Sequence, residues 1–333
     1  MEHNVKLSSA ETSQIWSSYM NDSAVICMLR SLLVHAEDKE IHAVLEYALE
    51  ISQQHIKKLT TFFQEADYPL PHGFTEAEDL NLDAPKLFSD TYCINFISQL
   101  GKTGLNAYGM AVSLATKDDI FNYFQACLME SVELIKRANT IMLHKGLYVR
   151  PPFLPIPATI DFVKKQKFLT GFLGEKRSLT ALEITHLYAN IQRNALGVAT
   201  MIAFSQAAEA EDVRHLMVRG KEIASKHIDI FTTLMRKDDV PAPMRWDTEV
   251  SASTVAPFSD KLMTFQTTAL ISLGMGYYGA SIASSPRRDI AVMYTRLMTE
   301  IGSFAEDGAN LMIKHGWVEE PPMSPNRDEL AKG

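Results

Sequence analysis

The chain has 333 residues, 46% of them hydrophobic and 22% charged, with 40 acidic against 32 basic side chains and a formal net charge of −8. That hydrophobic content excludes a disordered chain, and the acidic balance sets nucleic acid aside as a partner, since phosphate binding rests on clustered Lys and Arg. The three cysteines, Cys27, Cys93 and Cys127, form no C-x-x-C pair. They exclude a disulfide framework, argue against a thiolate zinc site and fit a reducing compartment. At about 150 residues per domain, the length leaves room for roughly two domains.

The stretch Met1–Ser9 is polar and carries no apolar signal core, so a cytoplasmic location is expected. Helix A is predicted to start at Ser8, where Ser8 and Glu11 form a capping box. Helix B covers about 39–66 and stops before Pro69-Leu70-Pro71. A long linker follows, then helix C over about 88–115 and helix D from near Thr116 to Gly146, its glycine stop signal. Residues 151–178 read as a connector, and Lys164, Lys165, Lys167, Lys176 and Arg177 give it a basic, solvated character.

The pattern then starts again. Thr180 and Glu183 form a second capping box, and helices are predicted over about 211–237 and 259–284. A last helix begins with Ser285 as N-cap and Pro286 as first residue, and ends at Gly316. No charge occurs from Leu262 to Pro286, but Gln266 and several Thr, Ser and Gly dilute the run. It reads as a central helix buried on most of its faces rather than a membrane span.

The recurrence is literal in places. Glu50-Ile51 and His55-Ile56 return as Glu222-Ile223 and His227-Ile228, Phe88-Ser89-Asp90 as Phe258-Ser259-Asp260, and Pro151-Pro152 as Pro321-Pro322. The chain therefore reads as one domain written twice, over 7–150 and 179–325, with a tail at 326–333. Short A–B and C–D turns with one long B–C crossover give an all-α fold: a tandem duplication of a ferritin-like four-helix bundle.

Di-metal proteins of that architecture need a Glu on two helices and a Glu-x-x-His on the other two. Here both C helices lack Glu and His, and Glu50 and His55 lie roughly 140° apart around helix B. A reduced set remains. His55 and His227 fall on the apolar stripe of helix B, Asp22 and Asn194 interrupt that of helix A, and Glu130 and Glu300 edge that of helix D. Gly104 and Gly274 stand where helix C would carry a carboxylate, making room for the histidine. At about 1.5 Å per residue these positions share a level roughly 16–20 Å from one end of the bundle.

Such a layer is either a hydrogen-bonded polar core or a metal site. Asp22, His55 and Glu130 are candidate ligands for Fe or Zn in the first copy, and Asn194, His227 and Glu300 are a weaker set in the second. The glycines Gly104, Gly109, Gly274, Gly276 and Gly279 are read as close helix packing or as the wall of a small-molecule pocket. Tyr108 and Tyr278 are read as core aromatics. No P-loop, G-x-S-x-G or G-x-G-x-x-G after a strand is present. A structural or interaction protein that binds a protein partner or itself is expected, with metal binding or a core ligand as alternatives, and no catalytic residues.

Leu-Phe-Ser-Asp (87–90), Pro-Phe-Ser-Asp-Lys-Leu-Met (257–263), Arg-Arg-Asp-Ile (287–290) and Gly-Trp-Val-Glu-Glu-Pro-Pro (316–322) resemble an uncharacterised family of tandem ferritin-like bundles in spore-forming bacteria. That family is itself distantly similar to spore coat protein F. The resemblance covers about 7–325. It implies the tandem fold and an association with the spore or with stress, and no catalytic residue.

Overall fold

The computed structural model describes residues 6–172 and 176–332. Residues 1–5 of the polar amino-terminal stretch, 173–175 of the connector and Gly333 of the tail lie outside the described residues. The first copy is built from α1 (Ser9–His35), α2 (Lys39–Glu65), a short α3 (Glu76–Asp79), α4 (Asp90–Leu114) and α5 (Asp118–His144). The second repeats the four long helices as α6 (Ala181–Ala207), α7 (Glu211–Arg236), α8 (Asp260–Ala283) and α9 (Arg288–Lys314), and a short α10 (Arg327–Leu330) closes the chain. Residues 66–89 and 237–259 form the two long crossovers. The described residues contain no strand, only an isolated antiparallel bridge between Phe88 and Val250. No described helix is long and apolar enough to cross a membrane.

Both capping boxes form, and each acid does more than cap its own helix. Glu11 accepts from Ser8 N at 2.7 Å and, through its other oxygen, from Thr116 N and Lys117 N at 2.9 Å each. It thereby ties the start of α1 to the α4–α5 turn. Burial alone would raise the Glu11 carboxyl, but these bonds outweigh it and hold the pKa down at about 2. Glu183 repeats the device by accepting from Arg287 N at 3.2 Å, and it adds the guanidinium of Arg177.

Helix ends match between copies as well. Asp67 and Asp239 adopt left-handed φ values of 51° and 55° at the ends of α2 and α7. There Tyr68 N bonds Phe63 O and Val240 N bonds Met235 O, taking up carbonyls the helix leaves free. Gly146 and Gly316, at φ 68° and 70°, close α5 and α9. One expected signal fails: Ser285-Pro286 does not start α9. Its N-cap is Arg287, with no side-chain cap. The α8–α9 turn absorbs residues 284–287, and the Arg287 amide goes to Glu183 instead.

The charge-free run in α8 is also less buried than expected. Leu262, Met263, Thr264, Thr267, Gly274, Tyr278 and Ser281 are buried, whereas Leu270, Ile271, Leu273 and Met275 are half-exposed. A stripe of contact is enough for a helix in a two-layer packing, so the other face meets solvent without charge.

Two compact units result. One comprises Met1–Leu82, Ile97–Ala138 and Trp317–Gly333, the other Asp83–Phe96 and Asn139–Gly316. In the first, α1 packs on α2 over a core that includes Ile15, Leu59, Phe62, Phe63, Ile120 and Phe124. Burying such side chains contributes about 1.5–3 kcal/mol each, and it fixes the faces on which the polar groups below must sit. In the second, α6 packs on α7 and α8, and α8 and α7 pack on α9.

Candidate metal centre

In the first unit the apolar stripe of α2 carries His55 inward, where the residue is 5% exposed. Its Nε2 lies 2.7 Å from Oε2 of Glu130 on α5, and its Nδ1 lies 3.3 and 3.4 Å from the two carboxylate oxygens of Asp22 on α1. The three predicted residues of the first copy therefore come together. Tyr108 and Tyr123 close the ring edge-on, with centroids 5.9 and 5.8 Å away. Burial pulls the His55 pKa down, but hydrogen bonding and the charge of Asp22, with bonds to Cys127 and Glu130, push it up to about 12. Both ring nitrogens then carry protons and donate. Asp22 Oδ2 is buried and accepts no hydrogen bond among the described residues, a costly state for a carboxylate oxygen.

A fourth group is not marked by the sequence pattern. Donor atoms of His55, Cys127 and Glu130 all lie within 4.8 Å of one another. Cys127 is buried, and burial raises its thiol pKa although His55 and Tyr123 pull it down. The absence of a C-x-x-C pair sets the thiol aside at the level of sequence. The usable signal is its place one turn before Glu130 on α5.

The second unit keeps the plan and changes its chemistry. His227 is fully buried, and its Nε2 lies 3.0 Å from Oε2 of Glu300. Asn194 does not reach it. The hydroxyl of Tyr278 stands between them, 2.8 Å from His227 Nδ1 and 3.1 Å from Asn194 Nδ2. Tyr278 is thus a hydrogen-bonding member of the layer, not only a core aromatic. Lys226 takes the other oxygen of Glu300 in an ion pair. Burial lowers the His227 pKa, and the charges of Lys226 and Arg193 add to that against the pull of Glu300. A neutral His227 accepts from Tyr278 and donates to Glu300. Leu297 occupies the place of Cys127.

The glycines do not make room for the histidines. A Cβ on Gly104 would collide with the Ser131 side chain, and one on Gly274 would meet Arg193 Nη1 at 2.5 Å. Gly109, Gly276 and Gly279 face open space, with nothing within 4 Å. Close packing thus explains two of the five.

A family described as protein of unknown function (DUF3231) matches residues 1–160 and again 167–330. A crystal structure named "putative spore coat protein", from Bacillus halodurans C-125, is 19% identical, with a TM-score of 0.43 over 46% of this chain and 98% of that one. No curated protein matches the sequence.

Proposed function

Because the chain belongs to the DUF3231 family, whose function is unknown, we propose a role from its own core: a ferritin-like tandem scaffold whose first copy binds a single transition-metal ion. A dinuclear ferritin-type centre does not fit, since both C helices lack carboxylate and imidazole in this layer. A mononuclear site does fit. Imidazole, thiolate and carboxylate are a donor set for Zn²⁺ or Fe²⁺. His55, Cys127 and Glu130 would be the ligands, with Asp22 either orienting His55 or replacing a donor. The observation that carries the reading is the convergence of three donor atoms within 4.8 Å in a buried layer. It is supported by the buried Asp22 oxygen beside them, which accepts no hydrogen bond among the described residues. The second copy exchanges Asp22 for Asn194 and Cys127 for Leu297, so both differences fall on this one layer. In that copy the layer serves structure.

Elemental analysis of protein purified without chelator tests the reading. Close to one Zn or Fe per chain, lost in His55→Ala and kept in His227→Ala, supports it. Metal far below stoichiometry, even after Zn²⁺ or Fe²⁺ is supplied, contradicts it.

A second reading, a structural or interaction protein without metal, is favoured by one observation. An imidazolium between two carboxylates gives each of them a charged hydrogen-bond donor without a metal, with one negative charge left over, and the raised His55 pKa of about 12 reflects it. Metal binding must then displace protons from His55 and Cys127, which makes it steeply dependent on pH.

A further inference from the structure

The connector joins two parts of the chain that also hold each other by other means. Two stretches that precede it, Asp83–Phe96 and the end of α5 from Asn139, belong to the second compact unit, and one stretch that follows it, Trp317–Gly333, belongs to the first. Specific bonds fix these stretches in place. In the second unit Ser89 N donates to Glu249 O and Ser251 N to Leu87 O, each at 3.0 Å, on either side of the bridge between Phe88 and Val250. The Ser89 hydroxyl bonds the Glu249 carboxylate, and the Tyr92 hydroxyl lies 2.9 Å from that of Thr200. Phe88, Tyr92, Ile94 and Phe96 are buried. In the first unit the amides of His72 and Gly73 donate to the Glu319 carboxylate at 3.0 and 3.1 Å. Each unit is therefore built with chain from both sides of the connector.

The connector itself has the features of a protease substrate. Residues 153–167 are all exposed, and 151–164 form no helix or strand. Among the described residues, backbone hydrogen bonding in 151–164 is confined to the Phe162 amide, which donates to the adjacent Asp161 carboxylate at 2.8 Å. A protease takes its substrate as an extended strand through main-chain hydrogen bonds, so it cuts where neither burial nor bonding already holds the backbone. Exposed Phe162 and Val163 lead directly into Lys164 and Lys165, an apolar pair followed by a basic one. The Lys164–Asp161 ion pair, at 3.7 Å, is exposed on both sides and yields readily. Arg150, at the other end of the stretch, precedes Pro151, which has no N–H to offer a strand pairing.

We infer that the connector is a processing site: a protease that reads a basic side chain hydrolyses the chain after Lys164 or Lys165, and the product remains one folded molecule of two fragments. Water adds across the peptide bond, leaving a carboxylate on the first fragment and an amine on the second. The exchanged stretches then become the interface between the fragments, and their association changes from intramolecular to bimolecular.

Limited trypsin digestion of the full chain tests the inference. The first cut should fall at Lys164, Lys165 or Lys167, and the triple variant Lys164→Gln, Lys165→Gln, Lys167→Gln should resist it. The nicked protein should elute from a size-exclusion column as one species at the position of the uncut chain, with its helical circular dichroism kept. Its urea midpoint should rise with protein concentration, unlike that of the uncut chain. Glu319→Ala, which removes the acceptor of two amides, and Tyr92→Phe, which removes one hydroxyl, should each weaken association of the nicked fragments, by up to roughly tenfold. A first cut elsewhere in the native chain overturns the inference, as does separation of the fragments in native buffer. Fragment affinity unchanged in both variants also overturns it, since something other than the exchanged stretches would then hold the fragments together.

Discussion

His55 and His227 occupy the same place in the two copies and are driven in opposite directions: the first upward to about 12, the second below its ordinary value. Each has a carboxylate at Nε2, Glu130 at 2.7 Å and Glu300 at 3.0 Å. The divergence arises at Nδ1, where Asp22 supplies a second negative charge to His55 and Tyr278 supplies a hydroxyl to His227. Long-range ¹H–¹⁵N NMR of metal-free protein at pH 7.5 should show an imidazolium at His55 and a neutral ring at His227. In Asp22→Asn, His55 should titrate at lower pH. Two neutral rings at pH 7.5 would refute the assignment.

The same shift sets an alkaline limit to stability. The folded pKa of His55 lies above its ordinary 6.5. Its contribution is therefore complete below about pH 6.5 and declines as pH rises toward 12. Urea unfolding of metal-free protein should show the wild-type chain losing more stability between pH 6.5 and 9.5 than Asp22→Asn loses. Equal losses would mean that Asp22 does not hold the proton.

Glu11 sets an acid limit by the opposite sign. Its folded pKa of about 2 lies below the ordinary 4.5. The bonds it makes contribute fully above pH 4.5 and are lost as pH falls toward 2, an effect of roughly 3 kcal/mol. Glu11→Gln should cost about that much at pH 7 and progressively less in acid. A cost independent of pH would place the interaction outside the carboxylate charge.

The neighbouring glycines of α4 should respond in opposite ways. Gly109→Ala meets open space and gains helix propensity, up to about 1 kcal/mol of stability. Gly104→Ala drives a methyl into Ser131 and should cost about 1–3 kcal/mol. Thermal melting of the two variants checks the pair, and stabilisation by both would show that α4 and α5 do not pack closely at Gly104.

The fold was legible because its signals are local and written twice. Capping boxes, glycine stops and the apolar stripe each depend on neighbours along one helix. The shared level of Asp22, His55 and Glu130 was legible for a related reason, since helical rise converts position into height. What stayed hidden depends on neighbours across helices. Cys127 reads as an ordinary apolar stripe residue until α2 brings His55 beside it. Tyr278 reads as a core aromatic until its hydroxyl is found between Asn194 and His227. Ser285-Pro286 has the chemistry of a helix start, but Glu183, distant in sequence, claims the amide of Arg287 and fixes the N-cap there.

The central claim is that the first copy, and not the second, presents a thiolate-containing metal site. Co²⁺ added to metal-free protein reports it through the near-ultraviolet absorption of a cobalt–thiolate bond. The band should saturate at one Co²⁺ per chain, vanish in Cys127→Ser and in His55→Ala, and persist in Cys27→Ser and in His227→Ala. No band in the wild-type chain, or a band undiminished in Cys127→Ser, would contradict the account.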